Sequence, residues 1–156
     1  MALAKNTGYH NIFFDVALDG VRDILVSEFN YGKIYIAPTI LHQDPFSIRI
    51  WGESAETTQL TNSSWQKQYN ITIFLYLIEA NPGEEFYNQF YSDSEKIYQL
   101  LFNNIVKTIT VSGTDYTWID GTPEDISYND FEGEEEDVEG LNVASITFNC
   151  KIFRED

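Results

Sequence analysis

The residues with the most obvious chemical potential lie in FEGEEEDVEG, Phe131 to Gly140, where six of ten side chains are acidic and none is basic. Carboxylates are hard oxygen ligands, and Asp130, Glu132 and Glu134 alternate as the early ligands of a calcium loop would. An EF-hand loop also needs glycine at its sixth position and a bidentate glutamate at its twelfth, and here those positions hold Glu135 and Leu141. The pattern therefore does not specify a calcium site, and a solvated loop is the plainer reading. His10 and His42 are 32 positions apart and Cys150 is remote from both, so no pair has zinc-ligand spacing. The chain contains no G-x-S-x-G elbow, no P-loop and no dinucleotide-binding glycine fingerprint. Cys150 falls on the apolar side of its segment, the position of a buried inert thiol rather than a nucleophile. No catalytic, metal or cofactor constellation emerges, and enzymatic activity is not expected.

Composition narrows the remaining classes. At 156 residues one domain is expected, large enough to bury roughly 70% of its unfolded surface. Aromatic residues make up 15%, with 11 Phe, 10 Tyr and 3 Trp, more large rings than one small core needs. Such rings are enriched where proteins touch one another, so the surplus points to partner surface. A formal charge of -16 excludes attraction to nucleic-acid backbones or anionic membranes through the average field. One cysteine cannot form an intramolecular disulfide, which fits a reducing compartment. Met1 to Asn11 lacks the apolar core of a secretory signal, and the run Ile71 to Ile78 is too short to span a bilayer. A cytosolic-type chain with no membrane contact is expected.

The elements that must position these residues follow from periodicity. Phe14, Ala17, Leu18, Val21, Ile24 and Leu25 recur at helical spacing, with Asp15, Asp19, Arg22 and Asp23 opposite, predicting a helix from about Asn11 to Phe29. KIYIAP (Lys33 to Pro38) and FSIRIW (Phe46 to Trp51) read as short strands, and Glu53 to Ser64, rich in Thr and Ser, as a loop. QKQYNITIFLYLIE carries the strongest strand signal: Tyr69, Ile71, Ile73, Leu75 and Leu77 share one face, while Phe74, Tyr76 and Ile78 cover the latter half of the other. Its length suggests that part projects beyond the sheet. A helix is predicted over Glu84 to Asn104, with Phe86, Phe90, Ile97 and Leu101 as its buried stripe. TITVSG and DYTWIDG read as a hairpin turning at Ser112-Gly113, followed by an acidic loop insertion at about 120–140. LNVASITFNCKIF then alternates cleanly, with Ala144, Ile146, Phe148, Cys150 and Ile152 inward. Runs of strands between two helices predict an α+β fold: a largely antiparallel sheet with two helices packed on one face.

In the succession of an N-terminal amphipathic helix, PFSIRIWGES, QYNITIFLYLI and EEFYNQFYSDSEKIYQLL, the chain resembles the bacteriophage tail terminators, also called neck or tail-completion proteins. The likeness runs from about Phe13 to Phe153 and includes an E-x-I-x-x-L core at Glu95, Ile97, Leu100 and Leu101. Its motifs are structural, and the acidic insertion departs from the pattern. The resemblance implies one tail-terminator-like domain over residues 1–156, non-enzymatic, which caps the tail tube as a hexameric ring and joins it to the head connector. Double-stranded DNA would pass through the channel without specific binding. It further implies partners in the tail tube protein and the connector, and a place in the tail or neck of a virion assembled in the host bacterial cytoplasm. Tyr69, Phe74, Tyr76 and Ile78 are the candidate subunit interface. Asp130, Glu132, Glu134, Glu135, Glu136, Asp137 and Glu139 are the candidate channel-lining or partner-binding acids. The alternative is an acidic DNA mimic that inhibits a DNA-binding protein.

Overall fold

Two strands with strict alternation form the spine of the fold. Strand β3 (Ser64–Ile78) pairs antiparallel with β6 (Leu141–Glu155) from Ser64 opposite Glu155 to Ile78 opposite Leu141, without a register break. A computed structural model describes residues 10–37, 45–62, 64–129 and 140–155. In it, β1 (Ile34–Tyr35), β2 (Phe46–Leu60), β4 (Lys107–Val111) and β5 (Thr114–Tyr128) complete a six-stranded sheet in the order β1-β2-β3-β6-β5-β4. The short β1 runs parallel to β2, and the other pairs are antiparallel. The fold is α+β, as expected.

The inward residues of β3 and β6 are those that alternation selects: Ile71, Ile73 and Leu75, with Ala144, Ile146, Phe148, Cys150 and Ile152, all essentially inaccessible. Ile48 and Ile50 of β2 and Trp118 of β5 extend this face. Helix α1 (Asp19–Leu25) and helix α2 (Glu84–Phe102) cover it through Val21 and Leu25 and through Phe90, Ile97 and Leu101, so sheet and helices share one core. Each such side chain contributes roughly 1.5–3 kcal/mol on burial, so this single face carries most of the driving force for folding.

The first helix differs from a plain amphipathic one. Phe13–Leu18 form a π-helical segment that leads directly into α1. A π turn adds a residue to the helical repeat and shifts the phase of the buried stripe. As a result Ile12 and Val16 point inward, and Phe14, expected in the stripe, is 42% exposed. Gly20 lies where this helix crosses the sheet, and a Cβ there would collide with Ile109 and come within 2.6 Å of Trp118 Cζ3.

Three boundaries are corrected. Glu53 to Ser64 is not a loop: β2 continues to Leu60 and β3 starts at Ser64, forming a long hairpin arm whose β2 side is exposed from Glu53 outward. Neither helix covers the arm, so nothing selects apolar alternation there, although threonine suits extended backbone. Asp120 to Tyr128, assigned to the acidic insertion, is the outer half of β5, held to β6 as far as Tyr128 opposite Ala144 despite two irregularities in register. Pro123 and the charges at 120, 124 and 125 disguise this strand, and proline is tolerated where a strand is irregular and at an edge. In KIYIAP the described strand is confined to Ile34 and Tyr35. The predicted hairpin is present, with Ser112 and Gly113 both at positive φ (50° and 84°), as a tight turn between twisted strands requires.

Replacing a helical glycine with alanine ordinarily stabilises a helix by about 1 kcal/mol. At Gly20 the buried indole of Trp118 reverses the sign. Gly20→Ala is expected to lower unfolding free energy by about 1–3 kcal/mol in a denaturant titration, the usual cost of overpacking.

Candidate functional site

With the inner face filled by the helices, the surfaces left for other molecules are the second face of the sheet, the arm and the grooves beside them. Register sets the second face in rows. Ser47, Tyr76 and Val143 form one row, Arg49, Phe74 and Ser145 the next, and Trp51, Thr72 and Thr147 a third. Tyr76, Leu141 and Val143 make a small second core, flanked by half-buried Phe74 and Ile78. The rings of Phe74 and Tyr76 stack at 5.8 Å, and Trp51 lies 6.4 Å from Phe74.

Arg49 is the unusual member of this face. It is 2% exposed, and its guanidinium carbon lies 4.1 Å from the centroid of the Tyr35 ring. Among the described residues, the buried side-chain nitrogen and oxygen atoms without a hydrogen-bond partner are Ser47 Oγ, Arg49 Nε and Trp51 Nε1, on alternate residues of one strand. Unpartnered buried donors are costly, so this end of β2 is a polar interior held together by aromatic packing. In the Trp51 row, Thr72 Oγ1 donates to Glu53 Oε1 at 2.8 Å.

The four candidate interface residues therefore divide. Tyr69 belongs to the main core, where Phe13 meets it edge to face at 4.9 Å. Burial, with Cys150 and Tyr116 nearby, pushes its hydroxyl up to about 12. Tyr76 is fully enclosed by its own chain. Both of these candidate interface rings pack within the chain itself, whereas Phe74 and Ile78 are only partly buried. The acidic candidates Asp130, Glu132, Glu134, Glu135, Glu136, Asp137 and Glu139 lie outside the described residues.

The reactive groups are placed for structure. Cys150 sits in the core, and desolvation pushes its thiol up to about 12. Buried Asp93 of α2 accepts a hydrogen bond from Gln89 Nε2 at 2.8 Å, and burial raises its pKa. Among the described residues no group of three His, Cys, Asp or Glu side chains converges, and no helix is long and apolar enough to cross a membrane.

Two open grooves flank the first helical segment. One, of about 530 Å³, is lined by Asp19, Arg22, Asp23, Tyr31 and Thr110. Its charges are paired within the chain: Arg22 with Asp19 at 2.7 Å, and Asp23 with Lys107 at 2.8 Å. The other, of about 280 Å³, lies at the base of the arm. Sequence reading missed this arm because polar, Thr-rich residues were taken for a connection. The available signal was two strand segments flanking a stretch without glycine or proline between Glu53 and Ser64.

No family model matches the sequence, and no curated protein matches it. In fold, the chain is similar to a chain from the virion of a native gene transfer agent particle, with a TM-score of 0.56 covering 92% of each chain at 8% sequence identity. At that identity the likeness is one of architecture, and it extends over nearly the whole of both chains.

Two measurements test the packing described above. Tyr76→Lys places a charge inside the second core and should cost the isolated chain about 3–5 kcal/mol in a chemical melt. Wild-type stability in that variant would return Tyr76 to the surface. Cys150, a thiol at pH 8, should react with a thiol-specific disulfide reagent only on the timescale of unfolding and promptly in denaturant.

Proposed function

We propose that this chain is a structural subunit of a phage-like virion, a tail terminator. Six copies close into a ring on the end of the tail tube and join it to the head connector, leaving a channel for double-stranded DNA. The observation that carries this reading is the fold shared, over 92% of both chains, with a component of a gene transfer agent virion. The arm supports it, because a closed ring needs heterologous contacts between different patches of neighbouring copies, and an extended hairpin supplies reach for them. The half-buried Phe74 and Ile78 belong to the surface we assign to such contacts.

The charge suits a conduit. Six copies at -16 each bring a formal -96 to the ring. A duplex carries one negative charge per ~1.7 Å of axis, so carboxylates facing the hole repel it along its whole length. That repulsion acts within about 8 Å at physiological salt, which suits a close-fitting passage. A basic lining would hold the DNA, whereas an acidic one lets it slide. We assign Asp130, Glu132, Glu134, Glu135, Glu136, Asp137 and Glu139 to the channel lining or to a basic surface on a neighbouring virion protein.

Light scattering on the purified chain, alone and mixed with tail tubes, should give a mass near six subunits, and negative-stain images should show rings with a central hole. A chain that stays monomeric in both preparations and leaves tube ends bare would overturn the proposal.

A further inference from the structure

The larger of the two grooves lies between helix α1 and strand β4, and its lining shows how it meets each of them. From the helix side come Asp19, Arg22, Asp23 and Val26, whose spacing puts them on one helical face. From the strand come Thr108, Ile109 and Thr110, three consecutive residues. Consecutive strand side chains point to opposite faces of a sheet, so a groove that touches all three runs along the strand's edge. β4 is the last strand of the described sheet, and in an edge strand alternate backbone N–H and C=O groups point away from the neighbouring strand. Natural edges are commonly blunted by charge, proline or a bulge. KTITV holds no proline and pairs with β5 without a register break, and its single charge, Lys107, is tied to Asp23 at 2.8 Å. This edge is built to be paired.

We propose that this groove takes up an extended, lysine- or arginine-bearing segment of another protein, which adds to β4 as a further strand. The edge supplies main-chain hydrogen bonds, and the walls of the groove select the side chains. Ile109 lies on the helix-bearing side of the sheet, paired with core Tyr116, so residues of an added strand beside Ile109 face the helix. Residues beside Thr108 and Thr110 face the other way. On the helix side the charges are Arg22 with Asp19 and Lys107 with Asp23, and the members of each pair are not equally accessible. The side chains of Arg22 and Lys107 are 19% and 20% exposed, whereas those of Asp19 and Asp23 are 49% and 67% exposed. Arg22 also lies against the Tyr31 ring, 5.1 Å from its centroid. Each pair thus turns its carboxylate outward and holds its cation beneath, and a formally balanced cluster presents an anionic rim. On the other side Thr110 Oγ1 donates to exposed Asp115, which adds a further carboxylate. The chain's formal charge of -16 steers cations toward all of these groups. The proposal does not depend on the ring reading.

The test uses the full chain and synthetic peptides of about six residues, the usual length of a strand. One peptide alternates lysine with threonine, and a second alternates glutamate with threonine. A third repeats the lysine sequence with every backbone nitrogen methylated, which keeps the charge and removes the ladder donors. Binding is read by fluorescence anisotropy and its place by hydrogen–deuterium exchange. The lysine peptide should bind and slow exchange within Lys107–Val111. The glutamate and methylated peptides should bind about tenfold more weakly or worse, the effect of reversed charge or of one or two lost hydrogen bonds. Asp19→Asn/Asp23→Asn should weaken the lysine peptide by a similar factor, and the peptide comparison on the wild-type chain stands whether or not that variant folds. Equal binding of the methylated peptide, or protection that falls outside Lys107–Val111, reduces the contact to a general attraction for cations and overturns the proposal. So does a lysine peptide that does not bind. Protection of Lys107–Val111 that grows with the concentration of the chain alone assigns the edge to a second copy, and the proposal is again overturned.

Discussion

The uninterrupted pairing of β3 with β6 is the constraint on which the other placements depend. Fifteen consecutive residues on each strand are locked in register, from Ser64 opposite Glu155 to Ile78 opposite Leu141. Because side chains alternate with a period of two, a slip of one residue would turn Ile71, Ile73 and Leu75 to the solvent and bring Asn70 and Thr72 into the core. Apolar alternation on both strands excludes that slip. Once it is excluded, β2 and β5 dock on either side, and each brings its own inward residues to the same face. The helices then have one surface to cover and no freedom in which side they choose.

That constraint also explains why the molecule is so uneven. Helical cover ends before the sheet does, so the strands run on as an exposed arm and leave a groove at its base. On the opposite face only the end near Tyr76, Leu141 and Val143 is dry, and there Arg49 is enclosed with its charge resting on the Tyr35 ring. A guanidinium in that position gives the face a fixed positive charge beneath aromatic packing. Among the described residues no group of three His, Cys, Asp or Glu side chains that could hold a metal ion accompanies it. Chemical groups that are reactive elsewhere serve here as packing: Cys150 as a small apolar filler and Tyr69 as a ring within the core.

Strands β2, β3, β5 and β6 each run fifteen residues, and the chain's charge is strongly unbalanced at a formal -16. In architecture the chain is similar to a chain from the virion of a gene transfer agent particle.

Much of this was legible in the residues alone. Periodicity identified both helices, the alternation in LNVASITFNCKIF, the Ser112-Gly113 turn and the α+β class, because each of these depends on neighbours within a few positions. The outer half of β5 and the arm were illegible, since a strand held by partners on its flank needs no apolar pattern of its own, and Pro123 and Thr57 to Gln59 offered none. Tyr69 and Tyr76 show the same limit from the other side. Their sequence neighbours mark both as strand residues, yet whether a ring faces a partner or its own core depends on what packs across the sheet. The groove of Lys67, Trp65 and Arg154 joins positions almost ninety residues apart. Sequence by itself determined the conformation of the periodic segments and the net negative charge. The tertiary structure decided which side chains share a face and which are enclosed, because those properties arise only when distant segments pair in register.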